Sequence, residues 1–387
     1  MTSTVLENIA ELTTNDPTLG DYSVMGRLFD AAIVVDEQRV LWVGANADAP
    51  DADERVDVKG AAIVPGFVDS HTHLVFAGER CDEFEARLRG ERYDGGGIGR
   101  TVESTRHASR HDLRHVTAKR AHELHAGGVT TLEIKSGYEL TVAGEERLLE
   151  VAAEFSDDVT FLGAHGLPEE FRDDRDRYVE LVAGEMLARC APLAHWADVF
   201  CDVGAFDVDE ARTILVAARE AGLGLRLHAN QLDDIGAVGL GVELDVASVD
   251  HCTHVSDGDV AALASSRTVV TLLPGAEFCT GSPYPSARRF LDAGATVALA
   301  TDCNPGTSYV TSMPLVIALA VREMTMSPDE ALWAATLGGA RALRRDDVGR
   351  LGVGARADLV ILDAPRSAHL AYRPGGALVA RVMRAER

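Results

Sequence analysis

The sequence contains almost no lysine and has a large deficit of positive charge. Its 387 residues include 37 basic and 61 acidic side chains, giving a formal net charge of -24, and only Lys59, Lys119 and Lys135 are lysines. Such a charge repels phosphate backbones and anionic lipid surfaces, so we expect neither nucleic acid nor a membrane as a partner. The lysine-poor acidic composition predicts adaptation to a salty cytoplasm; an acidic enzyme from a GC-rich genome is the alternative.

Long hydrophobic runs and paired cysteines are also missing. The longest clean apolar stretch, residues 314–321, is far shorter than the roughly 20 residues needed to span a bilayer. Residues 1–16 lack the basic segment that opens a secretory signal. The six cysteines are scattered without a C-x-x-C pair, which is typical of reduced thiols. We therefore expect a soluble cytoplasmic protein.

The middle of the chain alternates short apolar runs with longer helical segments. Continuous apolar runs are typical of strands buried on both faces of a parallel sheet. Eight such β/α units predict a (β/α)8 TIM-like barrel, whereas a doubly wound open sheet would use fewer strands and a glycine-rich first turn. The runs lie at 67–69, 129–134, 159–163, 198–201, 224–227, 246–249, 269–272 and 296–300, and the predicted helices include 118–126, 144–155, 175–190, 208–221, 257–264 and 286–293.

The two ends of the chain are predicted to form short strands instead. Neither end has enough apolar positions to fold alone, but pairing the two ends would bury both. The sequence therefore predicts an α/β protein in which a small β-sandwich domain, residues 1–62 with 352–387, accompanies a barrel over 63–351. The predicted strands of the ends lie at 31–35, 39–43, 55–58, 358–362 and 377–383.

Metal-binding residue types end five of the eight predicted barrel strands. Active sites of such barrels lie at the carboxyl ends of the strands. His71 and His73 are two residues apart on a strand and therefore point the same way. Together with His228 and Asp302 they offer three imidazole nitrogens and one carboxylate, a set that suits Zn²⁺ or iron with an open position for water. The five strand ends carry, in order, His71 with His73, His165, His228, His251 and Asp302.

Other histidine and glycine patterns are weaker. His107, His111 and His115 recur every fourth residue among arginines, which favours a solvated helix face. The segment 122–125 is one residue short of the H-E-x-x-H zinc motif. Gly95–Gly97 lacks the G-K-[ST] that follows a phosphate loop, so we expect either a mobile loop over the barrel mouth or a plain turn.

Four segments together resemble a known family of metal hydrolases. Residues 65–73, PGFVDSHTH, are similar to the opening of amidohydrolase superfamily members. Residues 74–80 (LVFAGER), 133–138 (EIKSGY), 161–165 (FLGAH) and 300–307 (ATDCNPGT) narrow the resemblance to the imidazolonepropionase family, over nearly the whole chain. The resemblance implies hydrolysis of the ring amide of 4-imidazolone-5-propanoate to N-formimidoyl-L-glutamate, in histidine degradation. It also implies one Zn²⁺ or Fe³⁺ per subunit and a homodimer.

The resemblance also implies a role for individual residues. The metal ligands would be His71, His73, His228 and Asp302. The substrate pocket would be lined by Arg80, Tyr138, His165, Gln231, Asn304, Gly306 and Thr307.

The residue types agree with this chemistry. The planar, permanently charged guanidinium of Arg80 suits the propionate carboxylate of the substrate. Tyr138 and His165 can form hydrogen bonds with the ring nitrogens and carbonyl. After the metal carboxylate, the Pro-Gly turn at 305–306 is expected to present backbone N–H groups.

Proton transfer requires a residue near the attacking water. His251 and the free oxygen of Asp302 are the two candidates. Many barrel deaminases have a glutamate three residues after the histidine of the fifth strand, whereas Gln231 stands there in this chain. A glutamine cannot carry protons, so we expect Gln231 to position the substrate. This argues against a cytosine, guanine or adenosine-type deaminase.

Two other functions stay open. Another cyclic-amide hydrolase, such as a dihydroorotase or hydantoinase, would use two metals bridged by a carboxylated lysine at the fourth strand end. Residues 199–202 contain no lysine and Lys135 belongs to the second strand, so one metal is favoured. A non-catalytic barrel serving as an interaction or structural protein would be expected to have lost metal ligands, and all four are present.

Overall fold

The computed structural model describes residues 2–90 and 97–385. Gly95 and Gly96 of the predicted glycine loop lie outside the described residues. The chain forms two compact units. The predicted division into 1–62 with 352–387 and 63–351 stays a prediction. One unit comprises Met1–Asp69, Glu123–Thr131 and Ser312–Arg387, and the other comprises Ser70–His122 and Leu132–Thr311.

The strands form two sheets, one of which is a nearly closed parallel barrel. The barrel sheet contains eight strands, β6 to β13, which neighbour one another in chain order. Each of the eight predicted apolar runs overlaps one of them, the run at 246–249 by only two residues of β11, so the predicted barrel is confirmed. The strands in the described residues are β1 (Thr4–Thr13), β2 (Arg27–Val35), β3 (Val40–Ala45), β4 (Glu54–Asp57), β5 (Ala62–Pro65), β6 (Phe67–Asp69), β7 (Val129–Lys135), β8 (Asp158–Ala164), β9 (Trp196–Cys201), β10 (Gly224–Ala229), β11 (Ser248–His251), β12 (Val269–Leu272), β13 (Val297–Leu299), β14 (Leu359–Leu362) and β15 (Val379–Met383).

Hydrogen bonds join the chain just beyond β6 to the chain just beyond β13. The backbone N–H of Asp302 donates to the carbonyl of His71, and that of His73 donates to the carbonyl of Cys303, both at 3.0 Å. Thr72 and Cys303 form a parallel bridge. These bonds therefore bring His71 and His73 beside Asp302, another predicted metal ligand.

The helices follow the alternation predicted for β/α units. The helices predicted at 208–221 and 257–264 are confirmed, and a capping box starts each one, with Asp207 and Ser256 as the caps. The helix predicted at 175–190 contains a π-helical turn over Val182–Met186. The α-helices in the described residues are α1 (Cys81–Leu88), α2 (Ile98–His107), α3 (Arg110–Ala126), α4 (Val142–Ala153), α5 (Arg175–Leu181), α6 (Leu187–Cys190), α7 (Val208–Glu220), α8 (Ala237–Glu243), α9 (Asp257–Ala264), α10 (Pro274–Thr280), α11 (Ala287–Ala293), α12 (Met313–Glu323), α13 (Pro328–Trp333), α14 (Gly339–Ala342) and α15 (His369–Tyr372). Over the described ranges, no helix has both the length and the hydrophobicity required to cross a bilayer.

Strands from both ends of the chain share the second sheet. Its order is β15-β14-β5-β1-β2-β3, and β4 also pairs with β1. Its core is apolar and includes Leu6, Ile9, Leu12, Ile33 and Leu359. The predicted β domain built from the two termini is therefore confirmed.

Strand β1 is absent from the sequence prediction because a bulge breaks its alternation. Its pairing with β2 shifts register between Leu6 and Ile9, and Asn8 inside that interval has a φ of 59°. The extra residue makes the buried positions Leu6, Ile9 and Leu12 recur every third residue. A period of three does not indicate a strand by the rule of alternation.

Candidate active site at the mouth of the barrel

The four predicted metal ligands converge at the carboxyl end of the barrel strands. His71 and His73 follow β6, His228 lies in β10 and Asp302 follows β13, and each is at most 3% exposed. Nε2 of His73 lies 3.2 Å from Nε2 of His71 and 3.3 Å from Nε2 of His228. Oδ1 of Asp302 lies 3.5 Å from Nε2 of both His71 and His73.

These spacings suit donor atoms that share one metal ion. With metal–ligand bonds of about 2.1 Å, neighbouring donor atoms lie roughly 3.0–3.4 Å apart. Three imidazole nitrogens and a carboxylate oxygen are donors that both Zn²⁺ and iron accept. Burial raises the pKa of Asp302 well above its usual range, a penalty on the carboxylate that a bound cation would offset.

Two buried carboxylates fix the orientation of the ligand histidines. Nδ1 of His71 lies 2.7 Å from Oδ2 of Asp250, and Nδ1 of His228 lies 2.9 Å from Oδ2 of Asp198. Assigning a proton to each Nδ1 from this network leaves the Nε2 lone pairs facing one another. Burial lowers the pKa of His71 and of His73 well below the usual value. Both rings are therefore neutral at pH 7, as metal ligands must be.

The backbone is left-handed at two of the predicted site residues. His251 has a φ of 75° and Asp302 a φ of 52°. Such a conformation costs about 1–3 kcal/mol per non-glycine residue and persists only where the surroundings determine it. At Asp302 the hydrogen bond to the carbonyl of His71 supplies such a constraint. The position of the carboxylate is thus fixed by backbone as well as by side-chain contacts.

A cavity of about 600 Å³ opens at the same end of the barrel. It joins the predicted ligands to most of the predicted substrate-binding residues. His71 and Gly306 lie outside its lining. The predicted site residues that line it are His73, Arg80, Tyr138, His165, His228, Gln231, His251, Asp302, Asn304 and Thr307.

Arg80 is held at the cavity by an acidic neighbour and a glycine. Its Nε and Nη2 donate to the carboxylate of Glu83 at 2.9 and 2.5 Å, and its side chain is only 4% exposed. A Cβ at Gly306 would lie 2.3 Å from Nη1 of Arg80. Gly306 therefore acts through its missing side chain, which leaves room for the guanidinium.

Tyr138 and His165 lie side by side, with ring centroids 5.0 Å apart. Nδ1 of His165 lies 2.9 Å from the carbonyl of Gly137, and burial lowers the pKa of His165 to about 3. Gly137 has a φ of 110°. The buried carboxylate of Glu145 accepts hydrogen bonds from the backbone of Gly137, Glu139 and Leu140. This cradle fixes the loop that carries Tyr138, and the Gly137 carbonyl orients the His165 ring.

The turn after Asp302 uses its backbone N–H groups internally. The amides of Gly306 and Thr307 both donate to Oδ1 of Asn304 at 2.8 Å, so the expectation that they face the substrate is wrong. An asparagine side chain at the start of a turn satisfies the amides that follow it. Asn304 therefore shapes the turn. The Thr307 hydroxyl donates to Oδ2 of Asp302 at 3.3 Å.

A second buried carboxylate, that of Asp202, binds the backbone of the loop that carries Gln231. Oδ2 of Asp202 accepts the backbone N–H groups of Gln231 and Leu232 at 2.5 and 2.8 Å. This carboxylate orients the backbone of the loop and leaves the amide side chain at the cavity wall.

His251 is buried beside the ligand cluster. Its ring centroid lies 5.8 Å from that of His71 and 5.5 Å from that of His228. Burial lowers the pKa of His251 to about 3. The ring is therefore neutral at pH 7 and has a lone pair that can accept a proton.

Within the described residues, the weaker histidine patterns contribute nothing to the candidate metal clusters, although His107 lines the same cavity. His107, His111 and His115 are all exposed, as predicted for a solvated helix face. His122 on α3 is exposed as well.

Sequence analysis missed a set of charged side chains inside the barrel strands, which we call the charge layer. Their signal was available, because Glu133 and Lys135 stand two residues apart and so point to one face of β7. The apolar appearance of the runs concealed it. The charge layer consists of Glu133, Lys135, Asp198, Arg226 and Asp250, each at most 1% exposed.

Glu277 on α10 was also missed. Its side chain is 2% exposed, and its Oε1 accepts the hydroxyl of Thr253 at 3.0 Å. Burial raises the pKa of Glu277 to about 7. The residue follows the seventh barrel strand without a pattern that distinguishes it from a surface glutamate.

Comparison with known proteins places this geometry in one family. The model of the amidohydrolase family matches residues 62–385. The chain is 59% identical over 382 residues to imidazolonepropionase of Streptomyces coelicolor, covering 99% of this chain and 98% of that protein. It is 58% identical over 384 residues to imidazolonepropionase of Mycolicibacterium smegmatis, covering 99% and 97%.

Solved structures with the same fold are more distant in sequence. Atrazine chlorohydrolase from Arthrobacter aurescens TC1, complexed with zinc, superposes with a TM-score of 0.71 at 18% identity, covering 98% of this chain and 93% of that one. An adenosine deaminase from Xanthomonas campestris with bound zinc gives 0.70 at 20% identity, covering 99% and 91%. At these identities the likeness establishes the fold alone.

Proposed function

The chain belongs to the amidohydrolase family and, within it, to the imidazolonepropionases, and we propose that it hydrolyses the ring amide of 4-imidazolone-5-propanoate to N-formimidoyl-L-glutamate. Water adds to the ring carbonyl, the ring C–N bond breaks, and the departing nitrogen takes up a proton. The observation that carries the proposal is the convergence of His71, His73, His228 and Asp302 on one point beside a cavity with Arg80.

We infer that these four side chains hold one Zn²⁺ or Fe³⁺ per subunit. The metal, when bound, lowers the pKa of water and polarises a carbonyl, which is the chemistry that amide hydrolysis needs. A single metal is supported by the ion pairs of Lys135, whose ammonium contacts Glu133 and Asp198. A lysine engaged in this way does not serve as a carboxylated bridge between two ions.

The cavity residues suit the two ends of the substrate. Arg80 provides the positive charge for the propionate carboxylate. Tyr138, His165 and Gln231 offer hydrogen-bonding groups for the ring nitrogens and carbonyl. Gly306 keeps the space that Arg80 occupies. Two further residues of the same turn, Asn304 and Thr307, hold the turn and the Asp302 carboxylate.

Proton transfer is assigned to His251 and Asp302. Burial lowers the pKa of His251 to about 3, so its ring is neutral at pH 7 and its lone pair is free to hydrogen-bond the attacking water, while the same low pKa makes it a weak base. Oδ2 of Asp302 accepts the hydroxyl of Thr307, while its Oδ1 faces the histidines. Separate substitution of His251 by Gln, which leaves the four ligands in place, distinguishes the two candidates by the pH profile of hydrolysis.

The test is direct hydrolysis of freshly prepared 4-imidazolone-5-propanoate by the purified protein. Loss of substrate absorbance and appearance of formimidoylglutamate are followed in molar KCl. Metal-stripped protein and Asp302→Ala are the controls, and both are expected to be inactive. If protein with a full metal site leaves the substrate intact, the assignment fails, and the alternative of another cyclic-amide hydrolase is tested with dihydroorotate and hydantoins.

We also propose a cytoplasmic homodimer that is adapted to salt. The six cysteines are free thiols and four of them are buried. Burial raises the pKa of Cys201 to about 12, which fits an unreactive thiol in a reducing compartment. Leu88 on α1 and Phe278 on α10 are 73% and 57% exposed, as expected at a subunit interface. Sedimentation at low and molar KCl tests the dimer and the salt adaptation together.

A further inference from the structure

Lys135 is a buried lysine in a chain that otherwise uses arginine. Three of the 37 basic residues are lysines. Lys59 and Lys119 are exposed, whereas Lys135 is 0% exposed. Burying an ammonium is costly unless it is well paired. An ammonium is also a compact point charge, which an arginine fork does not reproduce. A buried lysine at this position therefore requires acidic side chains placed to bind a compact ammonium.

The ammonium of Lys135 lies among three carboxylates of the charge layer. Its Nζ lies 2.9 Å from Oε1 of Glu133, 2.9 Å from Oδ2 of Asp198 and 4.0 Å from Oδ2 of Asp250. An ammonium has three donors and no acceptor, so it can bind carboxylates that approach from different strands. Glu133 comes from β7, Asp198 from β9 and Asp250 from β11.

Two of these carboxylates contact ligand side chains directly. The Oδ2 atom of Asp198 that faces Lys135 also lies 2.9 Å from Nδ1 of His228. The Oδ2 atom of Asp250 lies 2.7 Å from Nδ1 of His71. The same oxygen atoms therefore face the lysine on one side and the ligand histidines on the other.

The third carboxylate supports the peptide between two ligands. Oε2 of Glu133 accepts the backbone N–H of Thr72 at 3.1 Å, and the carbonyl of Glu133 accepts the Thr72 hydroxyl at 2.6 Å. Thr72 stands between His71 and His73. His71 and His228 are thus held through their rings by carboxylates of the charge layer, and the chain that leads to His73 is held through Thr72.

We propose that Lys135 is a positioning residue that holds these carboxylates in place and so orients His71, His73 and His228 toward the metal. Without the ammonium, the three buried carboxylates would face one another. Arg226 would then be the other cation of the charge layer, and it reaches Asp250 at 3.4 Å. The carboxylates would then repel one another and separate, and the ligand rings would lose their fixed orientation. The inference rests on the metal site proposed above and not on the identity of the substrate.

The test measures metal affinity rather than turnover. Metal-free Lys135→Met, which keeps the length of the side chain and removes the charge, is titrated with Zn²⁺ against a chromophoric chelator. We expect its affinity to fall about 10- to 100-fold, the effect typical of lost outer-shell partners. The visible spectrum of the Co²⁺-loaded protein should also change, because it reports the geometry of the ligands. Exposed Lys119→Met is the matched control and should keep wild-type affinity and spectrum.

A second variant decides the question if Lys135→Met does not fold. Glu133→Gln discharges a partner of the ammonium, retains an oxygen for Thr72 and touches no ligand side chain. It is expected to weaken Zn²⁺ binding about ten-fold. Wild-type affinity and Co²⁺ spectrum in the folded variants would overturn the role of Lys135. Failure of the wild-type protein to bind Zn²⁺ in the same assay would instead reject the proposed metal site.

Discussion

The two buried regions of this chain are built from opposite kinds of side chain. The core of the terminal β sheet is apolar, with Leu6, Ile9 and Leu359 among its members. The charge layer of the barrel instead buries five ionisable groups. Apolar burial stabilises without preferring a direction, whereas ion pairs and hydrogen bonds fix the positions of atoms, at a cost in stability. The difference indicates that burial in the β sheet serves stability, whereas the charge layer fixes the positions of atoms around the site.

The largest effect is expected from removing a ligand on the barrel side of this comparison. His228→Ala should lower the rate of hydrolysis by more than about 100-fold, beyond the usual effect of outer-shell changes, and should lose the bound metal. Circular dichroism should remain that of the wild type, because the ring contributes to the site more than to the fold. His111→Ala is the control, because His111 is exposed and lies outside the cavity lining. Retention of metal and of most activity by His228→Ala would show that geometry is supplied elsewhere.

The matching change in the β sheet should affect stability alone. Ile9→Ala removes a fully buried side chain and is expected to lower the free energy of unfolding by about 2–5 kcal/mol. The kcat of the folded protein should stay within about two-fold, since the site lies on other elements. Urea unfolding and steady-state kinetics at low temperature check the two halves of this prediction. A large drop in kcat with unchanged stability would break the comparison.

The eight barrel strands and the four ligands could be predicted because each leaves a local signal. Buried parallel strands appear as apolar runs, and histidines at their ends mark the active side of the barrel. Other features depend on contacts between distant segments. The bulge in β1 hides the alternation of its buried residues. The ion pairs of Lys135 join three strands that are distant in sequence. The Asn304 side chain accepts backbone N–H groups that we expected to face the substrate.

A smaller effect should appear in the pH dependence of stability through Glu277. This buried carboxyl accepts a hydroxyl and, within the described residues, has no ion-pair partner. Its pKa is raised to about 7 in the folded protein. The unfolded chain therefore releases this proton first, and stability is lost as pH rises from about 4.5 to 7, by at most about 3 kcal/mol.

Glu277→Gln isolates that contribution. The variant should be more stable than the wild type at pH 8 and nearly equal to it at pH 5, because the amide has no proton to release. Denaturant unfolding of both proteins at the two pH values provides the measurement. An equal difference at pH 5 and pH 8 would mean that Glu277 does not titrate in this range. The buried Glu277 side chain would then contribute to stability independently of pH, as an apolar side chain does.

The smallest effect is expected at the rim of the cavity. Gly306→Ala places a Cβ where Nη1 of Arg80 lies, so Arg80 must shift. We expect KM to rise about ten-fold, which corresponds to about 1.4 kcal/mol of binding, with little change in kcat. Gly99→Ala is the matched control, since Gly99 also lines the cavity and a Cβ there meets nothing within 4 Å. An unchanged KM in Gly306→Ala would indicate that Arg80 does not bind the substrate.

The central claim is that one metal ion held by His71, His73, His228 and Asp302 supports the hydrolysis. The most direct measurement restores metal-stripped protein with increasing Zn²⁺ or iron and follows 4-imidazolone-5-propanoate hydrolysis and bound metal in the same samples. The account predicts that activity rises in proportion to bound metal and reaches its plateau at about one ion per chain. A plateau at two ions per chain, or an absence of hydrolysis at full occupancy, would contradict it.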